Sequence, residues 1–234
     1  MSKWAVVTGG SSGIGLEIVR KLLNEKWKVI EMSRRRPELK GKNLFFIPAD
    51  FYKNKEIKEA CHKAKKISDE NIRVVIHCVG DILTESLIEE FPEHILYKTF
   101  QVNFFSAFLL TKCLFKVIAK NKGVFVYVSS VAKDKVYPNI SDYCAAKAAL
   151  SNFVKSVALE LAPYGGRAIS ISPAVVNTPL FRKSKYTVEE ASKWHKLGRI
   201  GKPEDIANLV LFLISEEANW ITGVDYLIEG GFLL

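Results

Sequence analysis

A short turn rich in glycine and serine constrains the fold of this chain more than any other feature: Thr8-Gly9-Gly10-Ser11-Ser12-Gly13-Ile14-Gly15. It follows an apolar run at 4–7 and opens a segment with apolar residues at helical spacing: Ile14, Ile18, Val19, Leu22 and Leu23. This order predicts strand, glycine turn and helix. Gly9 permits a tight turn, Gly13 permits close approach of the backbone to a phosphate, and Gly15 permits close packing of the helix on the strand.

The start of that helix is a predicted anion site. Free N–H groups and the positive end of the helix dipole attract negative charge there. An ordinary loop has a similar composition, so the flanking strand and helix carry the interpretation. The predicted binding residues of this turn are Gly9, Ser11, Ser12, Gly13, Ile14 and Gly15.

Alternating strand and helix patterns run along the whole chain. Apolar, β-branched runs lie at 4–8, 28–32, 44–48, 72–79, 123–128, 168–172 and 224–228, and helical periodicity fills 13–26, 53–67, 98–120, 141–164 and 203–214. We find no linker and no internal repeat. The pattern predicts one α/β domain over 1–234, a three-layer α/β/α arrangement of the Rossmann type with a doubly wound parallel sheet. Right-handed crossovers would bring all strand ends to one edge.

The net charge of +9 admits a nucleic acid, an acidic partner or an anionic cofactor. The lysine-rich segment 53–66 lies on predicted solvent faces without interleaved aromatic residues, which favours a solvated surface. We therefore expect no nucleic-acid partner.

The hydrophobic content and the cysteines bear on where in the cell the protein is expected. The hydrophobic content of 48% suffices for a large core, and no uninterrupted apolar stretch approaches the ~20 residues of a membrane span, so we expect no membrane partner. The chain enters a strand directly, which predicts no secretory signal. Cys61, Cys78, Cys113 and Cys144 show no CxxC or zinc spacing, which favours free thiols and a cytoplasmic location.

Several motifs in a fixed order carry a resemblance to a known family. Ser129-Ser130 end a predicted strand, and Tyr143 and Lys147 lie four residues apart on one face of a predicted helix. Three further motifs accompany them along the chain: Asn103, Pro173–Thr178 and the segment 198–223. From Lys3 to Gly231 the chain resembles the short-chain dehydrogenase/reductase family, whose main branch has about this length. The resemblance implies an oxidoreductase that interconverts a ketone and a secondary alcohol.

The resemblance implies a role for each polar residue. Tyr143 would be the acid/base; a free phenol has a pKa of about 10, and a cation such as Lys147 favours the phenolate. Lys147 would also bind the nicotinamide ribose, Ser130 would hydrogen-bond the substrate oxygen, and Asn103 would hold a relay water. The plainer alternatives are an exposed helix face for Tyr143 and Lys147, a strand-terminal turn for Ser130 and a backbone-satisfied amide for Asn103.

The end of the second strand bears on the cofactor. Ser33 stands where an acidic residue would accept the ribose hydroxyls of NAD, and Arg34 and Arg35 follow it, which predicts a preference for NADP(H). A solvated charge run is the alternative, and Ser12 is not basic as in some NADP-binding relatives, so NAD(H) stays possible. By resemblance, further cofactor-binding residues are Asp50, Phe51, Gly80, Tyr143, Lys147, Pro173, Val176 and Thr178.

One motif departs from the family pattern. His77-Cys78-Val79-Gly80 replaces Asn-Asn-Ala-Gly at the fourth strand. We interpret His77 as a buried, hydrogen-bonded residue rather than a catalytic one. His62, His94 and His195 show no ligand spacing with it, so no metal site is predicted.

Substrate and assembly stay open in part. Segment 180–200 resembles the family's substrate loop, and its Arg182, Lys183 and Lys185 suit an acidic carrier or CoA phosphates. A 3-oxoacyl thioester and a sugar or polyol are both candidate small-molecule substrates. A non-catalytic NADP-binding sensor or scaffold is the alternative class. Self-association is predicted from surplus apolar residues on two long helices: Phe104, Phe105, Phe108, Leu109, Phe115, Leu150, Phe153, Val157 and Leu161. The family resemblance implies that these helices pair in a homodimer or homotetramer.

Overall fold

The computed structural model of the protein describes residues 3–234 and contains one seven-stranded parallel sheet. The strands are β1 (Trp4–Thr8), β2 (Lys28–Ser33), β3 (Leu44–Pro48), β4 (Ile72–His77), β5 (Val124–Val128), β6 (Arg167–Pro173) and β7 (Asp225–Ile228). Their order is β3-β2-β1-β4-β5-β6-β7, so the direction of winding reverses between β1 and β4. This confirms the predicted doubly wound Rossmann-type sheet.

Helices cover both faces of the sheet. They are α1 (Gly13–Asn24), α2 (Asn54–Ile67), α3 (Glu93–Phe100), α4 (Ser106–Lys120), α5 (Ser141–Leu161), α6 (Val188–Lys193) and α7 (Pro203–Leu213). Buried residues of α2, α4 and α5 form one core with residues such as Val6 of β1, whereas those of α1 and α7 form a second core with its neighbour Val7. Because successive side chains of a strand point to opposite faces, β1 supplies residues to both cores.

The main differences from the sequence expectation lie at β4, α3 and α6. Strand β4 ends at His77 rather than at residue 79, and the helix expected from residue 98 begins at Glu93 and contains a π-helical turn at Gln101–Phe105. Helix α6 lies inside the segment expected to be a loop. The Thr187 hydroxyl accepts the Glu190 N–H and the Glu190 carboxylate accepts the Thr187 N–H, so a capping box starts this short helix.

The continuous helical stretch Glu93–Lys120 has the length and apolar composition of a membrane-spanning helix, with a hydropathy of 1.6 in its most apolar window. In that window, 56% of the residues are buried within the protein. Its α4 part packs on α2, β4 and β5. Packing in the sheet's own core therefore accounts for much of the apolar character of this stretch.

The surplus apolar surface expected on two long helices is smaller than predicted. Leu150, Val157 and Leu161 of α5 lie in the core, so that part of the prediction is wrong. The reason is that α5 packs directly on β6 and buries these residues within one chain. Phe105 and Phe108 remain exposed, with 42% and 45% of their surface accessible.

Candidate active site

The glycine turn between β1 and α1 has the conformation that its sequence predicts. Gly9 and Gly13 have φ angles of +69° and +54°, which favour glycine. A Cβ at Gly15 would lie 2.3 Å from the Gly9 carbonyl oxygen, so only glycine lets α1 approach this closely. The turn lies beside Cys78 at the end of β4, where the strand order reverses.

A groove of about 230 Å³ runs along this edge of the sheet. It brings together most of the residues predicted to bind a dinucleotide: Gly9, Ser11, Ser12, Gly13, Ile14, Gly15, Ser33, Arg34, Arg35, Asp50, Phe51, Gly80 and Thr178. The cradle of the glycine turn and the N-terminus of α1 fit the phosphates of such a cofactor. The residues present therefore fit a nicotinamide dinucleotide.

The end of β2 shapes the far side of the groove. Ser33 is buried, and its hydroxyl donates to the carbonyl oxygen of Arg35 at 2.7 Å. Arg34 is exposed, with its guanidinium 5.9 Å from the centre of the Tyr52 ring. Burial, together with the charge of Asp81, raises the pKa of Tyr52 to about 12, so this ring is neutral. Arg34 is thus positioned at the groove by a neutral aromatic face.

A second cavity of about 320 Å³ adjoins the groove and contains Ser130, Tyr143 and Lys147. Five residues line both spaces: Ile14, Cys78, Gly80, Thr178 and Leu180. Pro173 and Val176, predicted to bind the cofactor, line this second cavity. The groove and the cleft therefore form one continuous depression.

Tyr143 and Lys147 lie on adjacent turns of α5, and both are buried. The Lys147 Nζ lies 5.6 Å from the centre of the Tyr143 ring and donates to the Val128 carbonyl oxygen at 3.0 Å. Burial raises the pKa of Tyr143 to about 12, although the adjacent Ser130 hydroxyl lowers it. Burial also lowers the pKa of Lys147 to about 8. Desolvation is the largest influence on the Tyr143 pKa in this structure, and its direction is opposite to the lowering expected from the lysine.

Asn103 lies in the π-helical turn and is fully buried. Its amide donates to the carbonyl oxygens of Asp81 at 2.8 Å and Thr99 at 3.0 Å, and its carbonyl accepts the Asp81 N–H at 3.2 Å. A Cβ at Gly80 would lie 2.8 Å from this Asn103 oxygen and 3.1 Å from the Lys147 Nζ. Asn103 thus fixes the loop after β4 next to Lys147, and its predicted part in a proton relay stays a prediction.

His77 is fully buried and bonded at both ring nitrogens, as the sequence interpretation expects. The Thr8 hydroxyl lies 2.9 Å from its Nδ1 and the Ser106 hydroxyl 3.3 Å from its Nε2. Because Ser106 donates its proton to the Val102 carbonyl, Nε2 donates to Ser106 and Nδ1 accepts from Thr8. Burial lowers the pKa of His77 to about 3, so the ring is neutral and joins β1, β4 and α4.

Sequence reasoning missed the aromatic wall of the cleft. Tyr137, Tyr186, Trp194 and Phe232 line it, and Tyr52 and Asp81 line the groove. Gly230-Gly231 at the end of the chain was an available signal, because both have positive φ and turn Phe232 inward. Among residues 3–234, no group of three or more metal-binding side chains is assembled.

The fold and this site define a dinucleotide-binding oxidoreductase. A family model described as enoyl-(acyl carrier protein) reductase matches residues 9–233. The chain belongs to the short-chain dehydrogenase/reductase family.

Relatives of known activity span almost the whole chain. An NAD-dependent glycerol dehydrogenase of Listeria innocua is 31% identical, covering 99% of this chain and 94% of that protein. A 3-oxoacyl-[acyl-carrier-protein] reductase of Rickettsia prowazekii is 30% identical, with coverages of 99% and 97%. The solved aldohexose dehydrogenase of Thermoplasma acidophilum is 29% identical with a TM-score of 0.92, covering 99% of this chain and 94% of that one.

Solved structures of two further neighbours contain different cofactors. ElxO has NADP bound at 25% identity and a TM-score of 0.92, covering 100% and 99% of the two chains. A short-chain dehydrogenase of Leptospira borgpetersenii has NAD⁺ bound at 28% identity and a TM-score of 0.90, covering 100% and 94%. These likenesses support a nicotinamide cofactor for this chain, which is an NAD(P)-dependent oxidoreductase.

Proposed function

We propose that this protein is an NADP(H)-preferring oxidoreductase that interconverts a ketone and a secondary alcohol. The observation that carries the proposal is the continuity of the glycine-turn groove with the cleft that contains Ser130, Tyr143 and Lys147. A dinucleotide in the groove and a carbonyl in the cleft would therefore meet beside Gly80 and Thr178.

The protein's own part in the reaction is to hold and move a proton. Bound nicotinamide would supply or accept the hydride. Tyr143 is protonated near neutral pH, because burial holds its pKa at about 12, and it can donate that proton to the carbonyl oxygen. Ser130, whose hydroxyl adjoins that of Tyr143, would hold the same oxygen. Lys147 would stabilise the phenolate left on Tyr143 and bind the nicotinamide ribose.

The proposed preference for NADP(H) depends on the end of β2. Arg34 and Arg35 line the groove, and Ser33 supplies no carboxylate to repel a 2′-phosphate. A guanidinium can hold a phosphate with two parallel hydrogen bonds. The neighbours include proteins with either cofactor, so the proposed preference depends on Ser33, Arg34 and Arg35 and not on the likenesses.

A non-catalytic sensor or scaffold of the same fold is less well supported. The altered motif at β4 was the feature in its favour. His77 nevertheless keeps the strands connected through Thr8 and Ser106, and Ser130, Tyr143 and Lys147 still share one cleft. The departure at β4 is thus accommodated by the fold without loss of the proposed catalytic groups.

The test is a steady-state assay of the purified protein with NADPH and NADH against a panel of ketones and aldehydes. We expect ketone-dependent oxidation of NADPH and a higher kcat/KM with NADPH than with NADH. Cofactor binding by fluorescence titration, measured in parallel, separates a non-catalytic binder from an inactive preparation. Tight NADPH binding with no turnover on any carbonyl would support the scaffold instead.

A further inference from the structure

We propose that the substrate is a compact ketone with an apolar ring or branched alkyl body, rather than a polyol or a carrier-bound acyl chain. This inference rests on the proposed carbonyl chemistry and concerns what the rest of the cleft can hold. The cleft's volume of about 320 Å³ suits a small molecule that fills the space between Tyr143 and the aromatic wall.

The aromatic wall is a connected set of rings, formed by Tyr137, Tyr186, Trp194 and Phe232. Tyr186 and Trp194 meet edge to face with centroids 4.8 Å apart, and Phe232 lies 6.4 Å from Trp194 and 6.3 Å from Tyr137. Contacts at these distances hold the rings against one another. The wall is therefore an ordered apolar surface facing the catalytic residues.

The position of Phe232 is set by the glycines before it. Gly230 and Gly231 have φ angles of +61° and +77°, and a Cβ at Gly231 would lie 2.7 Å from the Cβ of Lys196. The chain can turn here only with glycine, and the turn buries Phe232 so that 8% of its surface is accessible. The C-terminal segment thus closes the cleft with an apolar ring.

Outside the proposed catalytic set, polar groups are a minority of the cleft lining: Ser129, Ser184, Thr178 and Glu85, with the polar ends of Tyr137, Tyr186 and Trp194. Ser129 donates its hydroxyl to the Lys147 carbonyl oxygen and accepts from Ser151, and Ser184 accepts from the Tyr186 N–H. Most of the other lining is apolar: Ile82, Val131, Ala132, Ile140 and Phe181. An apolar body would therefore contact more of this lining than the hydroxyls of a polyol would, which favours an apolar substrate.

The basic segment beside the cleft is already paired with carboxylates. The Lys183 Nζ lies 3.1 Å from Asp81, and the Lys185 Nζ lies 4.0 Å from Glu85. Both pairs join the segment after β6 to the loop after β4. An acidic carrier would have to displace these carboxylates, so two of the three cations that suited such a carrier are engaged within the chain.

The first experiment compares kcat/KM with NADPH for 2-methylcyclohexanone, dihydroxyacetone and acetoacetyl-CoA. We expect the cyclic ketone to exceed each of the others by tenfold or more, as differences of a few apolar groups commonly produce. An equal or higher value for dihydroxyacetone or acetoacetyl-CoA would overturn the inference while leaving the ketone reductase activity intact. Absence of turnover with all carbonyls would instead count against the proposed function.

The second experiment tests the wall with Trp194→Ala, using Trp220→Ala as the matched control because 96% of that side chain is exposed. We expect Trp194→Ala to raise KM for 2-methylcyclohexanone by at least tenfold and to change KM for dihydroxyacetone by less than threefold. Trp194→Phe, which keeps an aromatic face, should restore most of the affinity for the cyclic ketone. An equal loss for both ketones in a folded Trp194→Ala protein would contradict a specific apolar contact.

Discussion

The Lys147 ammonium lies 5.6 Å from the centre of the Tyr143 ring, and its Nζ donates to the Val128 carbonyl oxygen at 3.0 Å. Both side chains are buried, so desolvation favours the neutral form of each and moves their pKa values apart, to about 12 for Tyr143 and about 8 for Lys147. The pair therefore has a protonated donor at neutral pH and a cation that desolvation makes costly. Substitution of Tyr143 and substitution of Lys147 should therefore have different effects on activity and on cofactor affinity.

Lys147→Ala is expected to lose both activity and NADPH affinity, because one side chain is proposed to stabilise the phenolate and to bind the ribose. Steady-state kinetics and fluorescence titration measure the two losses separately. Lys155→Ala is the matched control, since Lys155 is exposed on the same helix. An unchanged NADPH affinity in Lys147→Ala would separate this lysine from the proposed ribose contact.

Arg34→Ala is expected to shift the cofactor preference toward NADH by about ten- to a hundredfold. Hydrogen bonds to charged groups contribute roughly 1.5–3 kcal/mol, and NADH has no 2′-phosphate to receive them. Ser33→Asp should shift the preference in the same direction, because a carboxylate repels that phosphate. Both shifts should shrink at high salt.

Titration of both cofactors measures these shifts, with Arg36→Ala as the control. Arg36 is exposed and its guanidinium lies 4.9 Å from the centre of the Phe46 ring. A wild type that already prefers NADH, or an unchanged ratio of NADPH to NADH affinity in Arg34→Ala, would show that the end of β2 does not bind the 2′-phosphate.

Glu31→Gln is expected to remove a pH-dependent loss of stability. Glu31 is buried on β2 against Gly10, and burial raises the pKa of its carboxyl from 4.5 to about 7. Between these pH values the unfolded chain is ionised while the folded chain keeps the proton, so stability falls as pH rises and is lowest above pH 7. The shift corresponds to at most about 3 kcal/mol.

Urea unfolding of wild type and Glu31→Gln between pH 4.5 and 8 checks this prediction. The difference between the two curves isolates Glu31, because other titrating groups such as His77 are common to both proteins. Glu25→Gln, which alters an exposed carboxyl, is the control. Parallel curves for wild type and Glu31→Gln would refute the buried, protonated carboxyl.

Phe105→Ser with Phe108→Ser is expected to weaken self-association, because these two rings, at the end of the π-helical turn and in α4, stay exposed in the chain. Exposed apolar surface of this kind commonly marks a site where another protein chain binds. Light scattering at micromolar concentration should show a dimer or tetramer for wild type and a smaller species for the double variant. Phe212→Ser on α7 is the control. A monomeric wild type would contradict the proposed assembly.

Sequence reasoning could predict the features that local chemistry determines. The glycine turn needs residues without a Cβ at Gly9, Gly13 and Gly15, and parallel strands must end at one edge, so Ser130 could be placed near Gly80 from the strand pattern alone. The burial of His77 followed from its position inside an apolar strand. In each case the deciding interaction lies within a few residues or follows from sheet topology.

Features that depend on distant contacts could not be predicted. Phe232 and Trp194 are far apart in sequence, and their meeting depends on how the C-terminal turn packs. The core position of Leu150 depends on α5 lying directly on β6, which helical periodicity alone does not specify. The pKa of Tyr143 depends on complete burial, whereas spacing to Lys147 suggested the opposite direction.

The most direct test of the proposed chemistry is Tyr143→Phe, assayed for ketone reduction and for NADPH affinity in the same preparation. The substitution removes the transferable proton and keeps the ring, so kcat should fall by about 10²–10⁴-fold while the NADPH Kd changes by less than about threefold. Retention of more than about a tenth of wild-type turnover would show that Tyr143 is not the proton donor.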